Sequence, residues 1–283
     1  MPESQDLAPP APAGVDTEKP SAARVYDWYL GGTQNWAVDR EFGRRAVALF
    51  PHIRPLCRQS RTMMNRIVRA ALDAGCRQFL DLGSGVPTVG NVHEVVRDHL
   101  PEQERATVVY VVYEPVAAAH ATVLLERDQA GEWAGFARAD LRDVHTVLEH
   151  PTTLRLIDFT EPVCLLMIAI MHFIGNDDRP DEIVRKYREE LAPGSWLAIS
   201  HLTTENVPEA RAEQVRRFVD SYRETSNPLW LRDSAAMRSW SGDWRVVEPG
   251  IVRCCDWRAD GPPEPLDELV APFGWVGVAE KGH

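Results

Sequence analysis

Little in this chain is basic, and no stretch of it is both long and apolar. Lysine and arginine number 31 against 42 aspartates and glutamates, a net charge of −11. Broad contact with nucleic-acid phosphates needs a basic face, which this balance argues against, although a local basic groove stays open. The longest apolar run, Val163 to Ile174, is too short to cross a bilayer and reads as a buried strand. Cysteines are few, five in 283 residues, and no two form a C-x-x-C pair. Cys57, Cys76, Cys164, Cys254 and Cys255 therefore read as reduced thiols of a cytoplasmic protein. Cys254 and Cys255 would face opposite sides of a strand, so no shared metal is expected. Met1 to Pro20 has neither a basic start nor an apolar run, and its Pro, Ala and acidic groups read as a disordered tail rather than a signal peptide. No repeat is visible, and no stretch after residue 20 is long enough to serve as a linker.

What is present is organised around Phe79-Leu80-Asp81-Leu82-Gly83-Ser84-Gly85-Val86-Pro87-Thr88. An apolar run ending in an acid, then two glycines one residue apart, then a helical segment is the first unit of a nucleotide-binding α/β sheet. Lacking a Cβ, Gly83 and Gly85 let a ligand lie against the backbone. A dinucleotide fingerprint needs a third small residue where Pro87-Thr88 stands, and no Gly-Lys-Ser/Thr follows, which excludes a P-loop. A strand-end acid with G-x-G and no phosphate cradle suits a nucleoside carrying an amino-acid arm, and S-adenosylmethionine is such a ligand.

The hydrophobic content of 44% supports a full core. Strands are expected at Arg77–Leu82, Thr107–Tyr113, Gly135–Ala139, Pro162–Ile170 and Ser195–His201, with helices between them, and later at Ile251–Trp257 and Gly274–Glu280. Before them, Ser21 is expected to cap a helix to Leu30 that Gly31-Gly32 ends, followed by helices at Val38–Phe50 and Arg54–Ala74. The first of these helices, dense in Tyr26, Trp28 and Tyr29, is either an amphipathic helix pinned by aromatics or a lid over a ligand. Arg58 and Arg61 share a helix face as solvated cations or as a carboxylate clamp.

Ligands of open α/β sheets bind beyond the carboxyl ends of the strands. Asp81, Gly83 and Gly85, Glu114, Asp140 and Met171-His172 therefore converge. Glu114 is placed to accept both ribose hydroxyl hydrogens, and Asp140 to accept from an adenine amino group. One such acid is often only a helix cap, but three at successive strand ends are harder to assign that way.

At this point the chain resembles the actinobacterial S-adenosylmethionine-dependent methyltransferases once grouped as a domain of unknown function. The likeness runs from about Ser21 to Lys281. It is carried by Ser21-Ala22-Ala23-Arg24-Val25-Tyr26-Asp27 with Gly31-Gly32 and Asn35, by Gln78-Phe79-Leu80-Asp81, and by Pro87-Thr88 with Gly90-Asn91-Val92-His93-Glu94. Further carriers are Ala139-Asp140-Leu141-Arg142-Asp143, His172-Phe173-Ile174, Leu191-Ala192-Pro193-Gly194-Ser195 and Val247-Glu248-Pro249-Gly250 with Trp257-Arg258. Thr33-Gln34, Ser60 and Val112-Tyr113-Glu114-Pro115 depart from the usual pattern; glutamate at 114 keeps a bidentate acceptor.

The resemblance implies a Rossmann-like class I methyltransferase fold: α/β, seven strands, mostly parallel with the last antiparallel, helices on both faces and an N-terminal helical lid. The implied divisions are the tail at 1–20, the lid at 21–76 and the S-adenosylmethionine-binding core at 77–283. Expected cofactor contacts are Tyr26, Arg61, Asp81, Gly83, Ser84, Gly85, Glu114, Pro115, Asp140, Leu141 and Met171. Asp27, Asn35 and His172 are expected to meet the substrate. His172, whose imidazole titrates near neutrality, is the candidate base, although a lone His after a buried strand is more often packed. His93 could equally be a helix-start residue.

Asn227-Pro228-Leu229-Trp230 is similar to the Asn-Pro-Pro-aromatic signature of nucleic-acid amine methylation but falls after strand five rather than strand four, so it reads as a turn. The expected function is methyl transfer to a small molecule at oxygen or nitrogen, with no nucleic-acid or membrane partner. Alternatives are a noncatalytic S-adenosylmethionine-binding module and, disfavoured by Pro87-Thr88, a nicotinamide oxidoreductase. The acceptor and the oligomeric state are not legible.

Overall fold

A computed structural model describes residues 16–86, 90–101 and 103–282. Pro87-Thr88, on which the distinction from a dinucleotide fingerprint rests, and the first fifteen residues of the expected tail lie outside the described residues.

Among the described residues eight strands form one sheet: β1 (Gln78–Leu82), β2 (Thr107–Val112), β3 (Ala134–Arg138), β4 (Cys164–Met167), β5 (Trp196–Leu202), β6 (Arg245–Val246), β7 (Val252–Arg253) and β8 (Gly274–Glu280). Their order is β3-β2-β1-β4-β5-β8-β6, with β7 also on β8. β1 to β5 run parallel, and β8 is antiparallel to β5, pairing Trp196 with Glu280 through Leu202 with Gly274. The chain leaves β1 toward β2 and β3 and returns on its other side through β4, so a topological switch point opens between β1 and β4.

The helices are α1 (Ala22–Leu30), α2 (Ala37–Leu49), α3 (Ile53–Asp73), α4 (Val92–His99), α5 (Pro115–Arg127), α6 (Val144–Leu148), α7 (Pro151–Leu156), α8 (Pro180–Glu190), α9 (Glu209–Ser221), α10 (Ser234–Ser241) and α11 (Pro265–Val270). Alternation along the strands sends Phe79, Val108, Cys164 and Ala198 to one face, against Met63 and Ile67 of α3. Leu80, Val109, Leu165 and Leu197 face the other way, against Tyr187 of α8 and Trp240 of α10. A third cluster joins α1, α2 and the start of α3 to Phe218 of α9 and to Phe273.

Three expectations change. Ser21 makes no side-chain cap on α1; the Ala22 N–H instead donates to Asn227 Oδ1 at 3.3 Å. The helix start is thereby tied to a distant loop. β4 is shorter than expected because Ala169, at φ +52, turns the chain, its N–H held by Ser200 Oγ at 2.9 Å.

The expected strand at Ile251–Trp257 shrinks to β7, and β6 is an addition that also pairs with β8. The carbonyls of Cys254 and Trp257 leave the ladder for the buried Arg66 of α3, which donates to them at 2.7 and 2.9 Å. Arg66→Leu strands those carbonyls away from water and should cost about 2–3 kcal/mol in urea unfolding. Unchanged stability would show that Arg66 does not hold this edge.

Candidate functional site

The ends of β1, β2 and β3 bring Asp81, Glu114 and Asp140 onto the wall of one cavity of about 570 Å³. Tyr26, Arg61, Gly83, Ser84, Gly85, Pro115 and Leu141 share that wall. The two glycines serve different needs, although both sit at positive φ (+70 and +67). A Cβ on Gly83 would overlap the Ile170 side chain, whereas one on Gly85 would meet nothing within 4 Å. Gly83 is therefore fixed by packing and Gly85 by its turn, with open space in front of it.

Asp81 lies on the same strand face as Phe79 and so points toward α3, where Arg61 sits. It is 3% exposed, and its carboxylate accepts no hydrogen bond from the described residues. Burial pushes its pKa up to about 7, with the Arg61 charge opposing. Arg61 donates to the Ser84 carbonyl at 3.4 Å and lies 5.5 Å from the Tyr26 ring centroid. Among the described residues its Nε and the Ser84 hydroxyl are buried without partners. Burial also raises the Tyr26 phenol, whose OH donates to the Cys57 carbonyl at 3.3 Å.

Glu114 is both a helix cap and a wall residue. Its Oε2 accepts from Val116 and Ala117 N–H at 2.7 and 3.0 Å. Its Oε1 accepts from Arg24 Nη1 at 3.2 Å. Arg24, buried in α1, also donates to Asp39 Oδ2 at 2.8 Å and to the carbonyls of Lys19 and Asp16 at 2.6 and 3.1 Å. Asp16 and Lys19, counted with the tail on sequence grounds, are thereby held against the cavity wall. Asp140 is gripped by Arg142, which also reaches Asp178 at 3.1 Å. Burial would raise the Asp140 pKa, but the Arg142 hydrogen bonds outweigh it and hold the group low. The Leu141 carbonyl accepts from the Tyr187 hydroxyl at 2.9 Å.

Four expected contacts lie elsewhere. Met171 is fully buried in the core, because the turn at Ala169 presents residues 168–170 to the cavity and drops Met171 beneath them. Asp27 and Asn35 brace the glycine turn: Asp27 Oδ2 accepts from Gln34 N–H and Asn35 Nδ2 at 2.9 and 2.8 Å, and Asn35 Nδ2 also reaches the Gly32 carbonyl. Neither lines the cavity. His172 lines a second cavity instead, its ring 5.6 Å from that of His201, and burial holds its pKa well below the usual histidine value. Arg58 is exposed, so Arg61 alone of the pair faces the cavity. His93 is a packed residue between Tyr110 and Asp128.

Sequence reasoning passed over several wall residues. Asn227, Pro228 and Trp230, read as a turn, line the same cavity, as do Arg24, Arg142 and Phe173. The signal for the first group was the similarity already noted, and its position after β5 hid that the loop folds back toward β4, where Trp230 N–H donates to the His172 carbonyl at 2.8 Å.

The donor set fits a cationic adenosyl amino acid better than a phosphate ligand. Five carboxylates line the space, those of Asp16, Asp81, Glu114, Asp140 and Asp178, and among the wall arginines Arg24 and Arg142 are already paired with carboxylates. Arg61 is left to meet one carboxylate of a ligand, and Asp81 to meet a positive charge.

A family model described as S-adenosyl methyltransferase matches residues 9–282. A structure solved as a candidate methyltransferase from Thermobifida fusca YX is 35% identical, with TM-score 0.85, covering 96% of this chain and 98% of its own. A DUF574 family protein from Streptomyces avermitilis MA-4680 is 33% identical, with TM-score 0.85, covering 94% and 99%. An O-methyltransferase family protein from Burkholderia thailandensis, 15% identical with TM-score 0.51 over 77% of this chain and 55% of its own, shares the fold alone. No curated protein matches the chain.

Two substitutions separate wall from brace. Glu114→Ala should lower S-adenosylmethionine affinity by about 1–3 kcal/mol in calorimetry. Asp27→Ala should cost about 1–3 kcal/mol of stability through the stranded Gln34 and Asn35 donors, measured by urea unfolding. Weaker cofactor binding by a fully stable Asp27→Ala protein would return Asp27 to the site.

Proposed function

Because the chain belongs to the S-adenosyl methyltransferase family, we propose that it transfers a methyl group from S-adenosylmethionine to oxygen or nitrogen of a small molecule. Family membership sets aside the nicotinamide reading and favours an enzyme over a sensor. The observation that carries the small-molecule part is the roof over the cavity. α1 and the segment at Asp16–Lys19 lie on its wall and are fastened by Arg24 to Glu114 at the end of β2 and by Ala22 to Asn227 in the loop after α9. A polymer would have to displace that roof, whereas a small acceptor can be enclosed beneath it. The acidic net charge of −11 supports the same reading.

S-adenosylmethionine supplies a methyl group on a positively charged sulfur, already bonded to a good leaving group. The sheet order puts Asp140 and Glu114 toward β3 and β2, and Phe173 and the Asn227–Trp230 loop toward β4 and β5. Asp140 would accept from the adenine amino group, and Glu114 Oε1 from ribose. Arg61, stacked on Tyr26, would hold the amino-acid carboxylate, and Asp81 would face positive charge. The acceptor then belongs on the β4–β5 side, near Phe173, Asn227 and Trp230. The chain's contribution is to orient both partners and keep water out under the lid.

Because burial holds the Asp81 pKa up to about 7, a cationic ligand meets an ionised partner only above that pH. Affinity for S-adenosylmethionine should therefore be full above pH 7 and fall as pH drops through it, by at most about tenfold per pH unit. Asp81→Asn should bind weakly and lose that dependence, as followed by calorimetry across pH 5–8.5. An unchanged profile in Asp81→Asn would remove Asp81 from the cation contact. Incubation with methyl-labelled cofactor and a cell extract should place label in the small-molecule fraction. Label confined to nucleic acid or protein would overturn the proposed acceptor class.

A further inference from the structure

Beneath the lid lies a second cavity of about 70 Å³. It shares Ala22, Tyr26, Ala169 and Phe173 with the cofactor cavity, so the two are neighbours across one seam. Its remaining walls come mainly from the third apolar cluster, including Tyr29, Ile53, Leu56, Phe218 and Leu229. Among the described residues no aspartate, glutamate, lysine or arginine lines it.

Its two imidazoles differ. His201 is satisfied, its Nδ1 donating to the Leu202 carbonyl at 2.7 Å and its Nε2 facing Arg232 at 3.4 Å. His172 has no hydrogen bond to either ring nitrogen among the described residues, and its Nδ1 is buried. Both rings are held neutral at physiological pH, His172 mainly by burial with the Arg232 charge adding, and His201, at about 4, mainly by burial. A polar ring left without a partner in an apolar chamber is a standing cost unless something that enters supplies one. A charged group entering would lose its hydration with no opposite charge to replace it.

We propose that this chamber receives an uncharged alkyl or aryl end of the methyl acceptor, carrying one hydroxyl that hydrogen-bonds His172. The inference rests on the methyltransferase reading above, since it takes the neighbouring cavity as the cofactor's. The volume admits a branched chain of about four carbons or the edge of a ring; a dry cavity about twice as large holds benzene. His172 thus acts as a contact for the acceptor rather than as the base expected of it.

The test uses the full chain, with and without saturating S-adenosylhomocysteine, titrated with isobutanol and in parallel with isobutyrate, which has the same carbon skeleton and a charge. The readout is the ¹⁵N signal of the His172 ring. Isobutanol should shift it saturably, isobutyrate should not, and Leu229→Trp should weaken the isobutanol effect at least tenfold while S-adenosylhomocysteine binds as before. No shift with isobutanol, or an equal shift with isobutyrate, would overturn the proposal even if the variant fails to fold. Failure of S-adenosylhomocysteine to bind would instead contradict the methyltransferase reading, and the alcohol arm without it still decides the chamber.

Discussion

A single buried guanidinium holds the arrangement together. Arg24 sits between Asp39 at the start of α2 and Glu114 at the end of β2, and its remaining donors reach the carbonyls of Lys19 and Asp16. Burying one arginine with two carboxylates is favourable only where its donors find partners, and here each of the three guanidinium nitrogens donates to a carboxylate or a carbonyl. The consequence is mechanical: the lid helix, the segment before it and the sheet edge are fastened at one point. Asp81, on the wall of the same cavity, owes its raised pKa to burial.

The same enclosure explains why polar groups here differ so much in state. Glu114, Asp140 and Arg142 are satisfied by protein partners. Among the described residues the Ser84 hydroxyl and Arg61 Nε on one side of the seam, and His172 Nδ1 on the other, are buried without a partner. In a dry interior an unmet donor or acceptor is unfavourable, so the unmet groups mark where ligands would complete the structure. Across the first chamber they read as a charged cofactor; in the second, uncharged chamber they read as a neutral acceptor.

Much of the fold was legible because its signals are local. β1 and β2 were bounded within a residue by apolar runs, and Gly31, at φ +88, ends α1 as its sequence suggests. The strand-end acids were found because the sheet's chain order dictates where strand ends meet. What was hidden depended on contacts distant in sequence. Asn227 takes over the cap expected of Ser21, Arg66 draws Cys254 and Trp257 out of a strand, and the left-handed turn at Ala169 redirects Met171 and His172. Asp27 and Asn35 carry polar atoms in the right segment, but those atoms face each other across the Gly31-Gly32 turn. No periodicity or spacing announces any of these.

The account stands or falls on what occupies the wall formed by Asp81, Glu114 and Asp140. A crystal structure of the chain grown with S-adenosylhomocysteine tests it most directly. The account predicts ribose hydroxyls on the Glu114 carboxylate beneath Arg24, with the amino-acid end between Arg61 and Asp81. A ligand bound away from these residues, or a Glu114 carboxylate still meeting only Arg24 and the start of α5, would contradict it.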